Sequence, residues 1–397
     1  MDVNLKDNNL LVLTHTYRNW VKDRIESIAG YFNKVFVLVR YKPLAKAGNL
    51  FNSHIFKMHT KNMVFDMDNI PANVNVIPIP VYYLPTDKGY LKLGKKHYNS
   101  VKKIIKKKNI KFDIIHAHFL WSAGFVGDQL KKDYSVPLVV TAHAYDVYDL
   151  PFRSDTWKTG IKKILSNTDH VITVCNKNVE YIKSINMNSP ISVIPSGYRN
   201  HLFHKKNIME SRIKLNLPID KKIILTVGNL VEVKGHTYLI DSMKDIVNLR
   251  KDVICIIVGE GKLKMKLAKK IKLNKLKNNV LIKGYRKRNE IVDWLNACDV
   301  FVLPSLNEGS PTVLFESLAC GKPFVGTTVG GIPEYITSHD YGILVKPKNS
   351  KLLAKALLEA LERDWDSRLI IEHSKNYDWE ILSKEKIHIY NELINGN

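Results

Sequence analysis

Cysteine is scarce in this sequence, and long apolar runs are missing. The 397 residues include four widely separated cysteines without a C-x-x-C pair, which argues against a disulfide framework or a structural zinc site. No run approaches the roughly 18 apolar residues that a membrane-spanning helix requires. The first residues carry Asp2 and Asp7 and no basic stretch leading into an apolar core, so we expect no secretory signal and a cytoplasmic protein.

Acidic residues are few beside the basic ones. The chain has 38 Asp and Glu against 61 Lys and Arg, a formal net charge of +23. Such a surplus suits an acidic partner: nucleic acid, anionic lipid or a phosphate-bearing substrate. No nucleic-acid recognition motif accompanies the charge, so we predict no nucleic-acid partner. Abundant Lys, Ile and Asn also fit a compositional bias without selection for binding.

Short apolar, β-branched runs recur along the chain and alternate with helix-like periodicity, which predicts βαβ units on parallel sheets. A first set of runs lies at 10–13, 34–39, 74–81, 112–118, 137–141, 170–175 and 191–194. A second set lies at 222–227, 252–258, 279–282, 299–303, 322–325 and 342–345. The polar stretch 196–221 between the sets predicts an interdomain linker. A chain this long is expected to form two domains.

The segment 304–316 carries the densest set of candidate binding groups. It follows a predicted strand and leads into an apolar, helix-like stretch. Gly309 lets a ligand approach the backbone, and the amides of Thr312 and Val313 would form the positive end of a helix. This arrangement favours an anion.

Two carboxylates flank that helix start. Glu308, in the loop, could accept hydrogen bonds from sugar hydroxyls, and Glu316, about two helical turns later, could reach a ribose. In the first half, His116 and His118 are two residues apart on a predicted strand and point to the same face. His143 follows the next predicted strand.

These segments resemble the motifs of the retaining, nucleotide-sugar-dependent glycosyltransferases of family 4. Glu308 and Glu316 match the family's E-x7-E signature. The segments 226–236, 258–261 and 330–334 resemble its phosphate-binding segment, the following glycine turn and the turn after the next strand. The order and spacing also agree, and the resemblance covers most of the chain.

The resemblance implies the α/β GT-B fold, in which two Rossmann-like domains face each other and a C-terminal helix crosses back to the first. We place an N-terminal, acceptor-binding domain at 1–197 and a nucleotide-sugar-binding domain at 198–377. The helical end, 378–397, is assigned to the first domain. Open α/β sheets bind ligands at the carboxyl ends of their strands, so we expect the chemistry there.

The resemblance also implies roles for particular residues. It assigns catalysis to His118, His143, Lys234 and Glu308, with Lys234 as a preorganised charge against the leaving diphosphate. It assigns donor binding to Gly228, Asn229, Lys234, Gly259, Tyr285, Arg286, Glu308, Gly309, Ser310, Thr312, Val313 and Glu316. Among the departures from the family pattern, Asn229 stands where the family typically supplies an Arg, and Arg199 is a candidate substitute cation.

The function implied is retaining transfer of a sugar from a nucleoside diphosphate sugar to a glycan, lipid-linked or other envelope acceptor. No metal or cofactor is expected. The donor sugar, nucleotide, acceptor, linkage and mechanistic detail stay open. Two alternatives are a non-catalytic accessory subunit, which Asn229 favours, and a metal-dependent hydrolase built on His116, His118, His143 and Asp146.

The segment 95–108 has a basic amphipathic pattern, with Val101, Ile104 and Ile105 on one helical face and lysines around them. This pattern predicts a location at the inner face of the cell membrane, on an anionic surface. An ordinary helix packed by its isoleucines is the alternative.

Overall fold

The computed structural model describes residues 5–43, 64–185, 188 and 190–396. The chain divides into two compact units. One comprises Met1–Ser196 together with Trp379–Asn397, and the other comprises Gly197–Asp378.

The first unit contains, within the described residues, a seven-stranded parallel sheet in the order β3-β2-β1-β4-β5-β6-β7. Its strands are β1 Leu5–Thr14, β2 Phe32–Tyr41, β3 Val74–Pro80, β4 Ile114–His118, β5 Leu138–Ala142, β6 His170–Thr173 and β7 Ile191–Val193. Before the second unit, its helices are α1 Asn19–Ala29, α2 Asp87–Lys108, α3 Phe125–Tyr134, α4 Tyr145–Tyr148, α5 Asp155–Asn167 and α6 Asn176–Ser184. Apolar cores lie on both faces of the sheet, as expected for parallel strands.

The second unit repeats this design with a six-stranded parallel sheet in the order β10-β9-β8-β11-β12-β13. Its strands are β8 Lys222–Val227, β9 Val253–Val258, β10 Val280–Gly284, β11 Val300–Leu303, β12 Phe324–Thr327 and β13 Gly342–Val345. Its helices are α7 Ile208–Lys214, α8 His236–Leu249, α9 Lys264–Leu273, α10 Arg288–Ala297, α11 Thr312–Ala319, α12 Ile332–Tyr335, α13 Ser350–Glu362 and α14 Ser367–Lys375. In both sheets the strand order reverses at one point, between β1 and β4 and between β8 and β11. Ligands of doubly wound folds bind beyond the carboxyl ends of the strands at such a point.

The predicted linker is wrong in part, because 196–221 contains helix α7 and belongs almost entirely to the second unit. The helix is held by a buried arginine rather than by an apolar stripe. Arg212 donates from Nε to the carbonyl oxygen of Ala297 at 2.9 Å and from a terminal nitrogen to the Asp299 carboxylate at 2.7 Å. Apolar periodicity therefore could not reveal it.

The last helix, α15 Trp379–Asn395, is part of the first unit. It buries Trp379, Ile387 and Tyr390 in the same apolar core as α1. The Tyr390 hydroxyl hydrogen-bonds to Nδ1 of buried His116 at 2.6 Å, and Nε2 of that ring contacts Oγ1 of Thr141 at 2.7 Å. Among the described residues no helix has the length and apolarity needed to cross a bilayer.

We predict that Tyr390→Phe lowers the free energy of unfolding by about 1–3 kcal/mol, because it leaves a buried imidazole nitrogen without its partner. Urea titration followed by tryptophan fluorescence measures the change. Tyr82→Phe is the control, since Tyr82 is 55% exposed and surface changes usually stay within about 0.5 kcal/mol. Equal effects of the two substitutions would contradict a stabilising bond to His116.

Candidate active site

The carboxyl edge of the second sheet brings Lys234 and Glu308 into direct contact. Lys234 ends a short helical turn after β8, and Glu308 lies in the loop after β11, so the two flank the point where the strand order reverses. The Lys234 Nζ lies 2.6 Å from Oε1 of Glu308. Their side chains are 22% and 10% exposed, so the pair is partly accessible to a ligand at this edge of the sheet.

Glu308 is also held by a residue that the sequence analysis did not select. The buried Ser305 donates from Oγ to the same Oε1 at 2.7 Å, and its carbonyl oxygen accepts from Oγ1 of Thr327 at 2.6 Å. The other carboxylate oxygen accepts no hydrogen bond from the part of the chain that the structure describes. Glu308 is therefore fixed on one side and keeps acceptor capacity on the other.

Two glycines allow the loops at this edge to approach one another. Gly235 has φ +66°, and a β-carbon there would lie 1.8 Å from the Pro304 carbonyl oxygen. Gly330 has φ +54°, and a β-carbon there would lie 1.6 Å from the carbonyl oxygen of Glu308. Any side chain at either position would push the loops apart and strain the backbone.

The helix α11 begins beside Glu308. Thr312 and Val313 are its first two residues, and their amides have no acceptor within the helix. Both residues and Ser310 are half-buried, while Gly309 is buried. The positive end of α11 thus follows Glu308 in the same segment of the chain, and the Lys234 ammonium contacts Glu308 directly, a combination that suits a diphosphate.

Glu316, on the same helix, forms a second ion pair at this edge. Its Oε1 lies 2.7 Å from a terminal nitrogen of Arg288, the first residue of α10, and the two side chains are 7% and 17% exposed. Arg288 was not predicted from the sequence. The one available signal was its position three residues after Tyr285, in the loop expected to contact the nucleotide base.

The loops after β8 and β9 are packed on each other. The amide of Gly228 donates to the Val258 carbonyl oxygen at 3.0 Å, and a β-carbon on Gly259 would lie 1.9 Å from the Gly228 carbonyl oxygen. Asn229 is exposed, and its main-chain carbonyl oxygen contacts Nε2 of His236 at 3.2 Å. Burial lowers the pKa of His236 to about 4, so this ring is neutral at neutral pH.

The loop after β10 presents an aromatic ring. Tyr285 is 47% exposed, and its carbonyl oxygen accepts a hydrogen bond from Arg286 at 2.9 Å. The Arg286 guanidinium lies over the Trp294 ring at 5.6 Å. The loop therefore offers a ring face and backbone groups to a planar ligand.

In the first unit, His118 ends β4 and His143 directly follows β5. Nδ1 of His118 lies 3.3 Å from Nε2 of His143, and the rings are nearly parallel. Burial lowers the pKa of both well below 6.5. Both rings are therefore neutral at neutral pH and can exchange hydrogen bonds with a hydroxyl group.

Asp146 organises the backbone around these histidines. Its carboxylate accepts from the amides of Leu120 at 2.9 Å, His143 at 3.2 Å and Ala144 at 2.9 Å. Burial raises the pKa of Asp146, and these bonds work in the opposite direction. Within the described ranges, no three or more His, Cys, Asp or Glu residues are arranged to hold a metal ion. The geometry does not favour the hydrolase alternative, since these amides already engage the Asp146 carboxylate.

Comparison with known proteins gives the family. The model for "Glycosyl transferases group 1" matches residues 207–377, and the model for "Glycosyltransferase Family 4" matches residues 52–199. TuaC of Bacillus subtilis, a glycosyltransferase named for teichuronic acid biosynthesis, is 31% identical over 286 residues, 70% of each chain. A D-inositol 3-phosphate glycosyltransferase of Corynebacterium diphtheriae is 26% identical over 71% of each chain. The chain belongs to glycosyltransferase family 4, as the sequence motifs predicted.

Solved structures show the same fold. Sucrose-phosphate synthase of Thermosynechococcus elongatus has a TM-score of 0.78 at 21% identity, covering 98% of this chain and 100% of that one. HepE of Anabaena, solved in complex with UDP, has a TM-score of 0.75 at 19% identity, covering 97% and 100%. The predicted GT-B fold class is confirmed, and the protein is a glycosyltransferase.

Proposed function

We propose that the chain is a retaining enzyme that moves a sugar from a nucleoside diphosphate sugar to a glycan, lipid-linked or other envelope acceptor, without a metal ion. The observation that carries the proposal is the 2.6 Å contact between Lys234 and Glu308. It brings a diphosphate-binding cation next to a sugar-binding carboxylate. HepE has been solved with UDP-glucose and TuaC is named for an envelope polymer, which supports the donor and acceptor classes.

The donor extends along the carboxyl edge of the second sheet. The base lies at Tyr285 and Arg286, the ribose at Glu316, the diphosphate at Lys234 and the first amides of α11, and the sugar at Glu308. Asn229 offers the diphosphate a hydrogen bond instead of the family's usual charge. The first unit binds the acceptor, and its neutral His118 and His143 orient the reacting hydroxyl.

Lys234 acts on the leaving group. Transfer breaks the bond between the anomeric carbon and a diphosphate oxygen, so negative charge grows on that oxygen while positive charge grows on the sugar ring. An ammonium already held in place stabilises the first charge without reorganising. Glu308 holds the sugar hydroxyls through the carboxylate oxygen that Ser305 and Lys234 leave available.

We predict that Lys234→Ala lowers turnover about 100-fold or more while the fold survives. A thermal-shift screen of UDP-, GDP- and ADP-sugars first identifies the donor, because a ligand of the native state raises the melting temperature. Release of nucleoside diphosphate then measures turnover. Lys270→Ala is the control, since Lys270 is paired with Asp241 at 2.7 Å and 29% exposed but lies outside the proposed site.

Three outcomes would contradict parts of this assignment. Near wild-type transfer by Lys234→Ala would remove the lysine from the diphosphate site. Glu308→Gln should reduce transfer while nucleotide binding persists, and an equal loss of nucleotide affinity would exclude its role at the sugar. Donor binding by the wild type without transfer to any acceptor or to water would favour the accessory subunit.

We predict that excess EDTA leaves the initial rate within about twofold of the untreated enzyme. The diphosphate charge is met by Lys234 and the amides at Thr312 and Val313, so chelation removes nothing the reaction needs. The measurement compares initial rates before and after chelation. A loss that Mg²⁺ or Mn²⁺ restores would contradict metal independence.

The second part of the proposal concerns helix α2. Its predicted apolar face is not available for membrane insertion, because Val101 and Ile105 are buried in the core and Ile104 packs against it. Lys102 is also engaged, in an ion pair with Asp133 at 2.8 Å. The alternative of a helix packed by its isoleucines therefore describes the inner face correctly.

The outer face of α2 carries a lysine stripe. At 100° per residue, all of its exposed lysines except Lys108 fall within an arc of about 120° along a helix roughly 33 Å long. The stripe consists of Lys88, Lys92, Lys95, Lys96, Lys103, Lys106 and Lys107. Each lysine near an anionic bilayer contributes about 1 kcal/mol. We infer that the stripe rests on the inner surface of the cell membrane by charge alone, close to a lipid-linked acceptor.

We predict that the protein co-sediments with anionic but not neutral vesicles, and less as salt rises. Replacing four lysines of the stripe by Gln should abolish binding: Lys92, Lys96, Lys103 and Lys107. The matched control replaces four exposed lysines of α9, which changes the net charge equally: Lys264, Lys266, Lys269 and Lys272. Equal loss in both variants would reduce the effect to net charge, and no binding at low salt would contradict the proposal.

A further inference from the structure

We propose that Arg288 is a positioning residue for the nucleotide. By holding the carboxylate of Glu316, it sets the preference of the protein for a ribose over a deoxyribose in the nucleoside diphosphate. The inference rests on the proposed function, because it takes Glu316 as the group that meets the ribose.

The carboxylate of Glu316 is held by an ion pair and is largely shielded from solvent. A terminal nitrogen of Arg288 lies 2.7 Å from Oε1 of Glu316, and the glutamate side chain is only 7% exposed. The guanidinium is itself fixed, since it lies over the Phe203 ring at 5.2 Å. It is also placed by the start of α10, where the Lys287 amide donates to Oε2 of Glu290 at 2.7 Å.

A glutamate that recognises a ribose must be held in position with its carboxylate ionised. A carboxylate has about four lone-pair sites on two oxygens, so it can accept from a guanidinium and from ribose hydroxyls at the same time. Without the arginine, a largely buried carboxylate would lose this ion pair and would turn toward water or take up a proton. In either state it would no longer stand ready to accept a bond from a ribose hydroxyl.

Arg288 also connects two parts of the donor edge. It is the first residue of α10, three residues after Tyr285 of the loop expected to receive the base, while Glu316 lies on α11, whose first amides would face the diphosphate. The ion pair therefore ties the base loop to the ribose contact. A nucleotide that seats its base correctly meets a carboxylate already in position.

The test measures dissociation constants of UDP, 2′-deoxy-UDP and 3′-deoxy-UDP by calorimetry, or of the matching GDP or ADP series where UDP does not bind. We expect the wild type to prefer UDP by about tenfold over at least one deoxy form, the typical value of a hydrogen bond to a charged group. Arg288→Ala should reduce that preference below about threefold. Arg288→Lys keeps the charge but loses the planar fork, and it should retain part of the preference.

The control is Arg250→Ala. Arg250 pairs with Asp252 at 2.7 Å and is 23% exposed, but it precedes β9 at the opposite edge of the same sheet. This substitution should leave the preference unchanged. Glu316→Gln provides the reference for a lost ribose contact, and adding Arg288→Ala to it should lower the preference no further.

The outcomes separate the inference from the proposed function. If Arg288→Ala weakens UDP and both deoxy forms by the same factor, the inference is overturned, because the arginine then acts on the whole nucleotide. The same holds if the wild type does not distinguish UDP from either deoxy form. If the wild type binds no nucleoside diphosphate at all, the proposed function itself fails. Arg288→Lys keeps the test decisive should Arg288→Ala not fold.

Discussion

The candidate site at the carboxyl edge of the second sheet depends on the close approach of the loops that follow β8, β11 and β12. Gly235 and Gly330 lie so close to the carbonyl oxygens of Pro304 and Glu308 that a β-carbon at either position would clash with them. Only because these loops touch can an ammonium after one strand meet a carboxylate after another, 74 residues away. The two glycines thus allow the loop contact in which the ion pair between Lys234 and Glu308 forms.

Charge compensation is the second constraint on this edge. The chain carries a net charge of +23, yet each carboxylate of the E-x7-E pair contacts a cation from another segment, Lys234 for Glu308 and Arg288 for Glu316. In the proposed donor site, the diphosphate shares the Lys234 ammonium with Glu308, which would link the recognition of the sugar to that of the phosphates.

Much of the fold could be predicted from the sequence, because strands buried on both faces read as unbroken apolar runs. All thirteen predicted strands are present, with shifted ends. The structure places both signature glutamates and Lys234, which the resemblance to the family singled out, at one edge of the second sheet. Ser305, Arg288 and Asp146 were missed as partners, since each acts through a contact that only the tertiary structure creates. Helix α7 was missed because a buried arginine, not an apolar stripe, holds it.

The C-terminal helix has a consequence for how the chain is made. The first unit begins near residue 1 but is completed by α15, which supplies Trp379 and Tyr390 to its core. A ribosome must therefore synthesise the whole of residues 197–378 before that core can close, a delay of about 9–36 seconds at about 5–20 residues per second. During this interval the second unit can fold first, while the apolar surface of the first unit that α15 later covers stays exposed on the nascent chain.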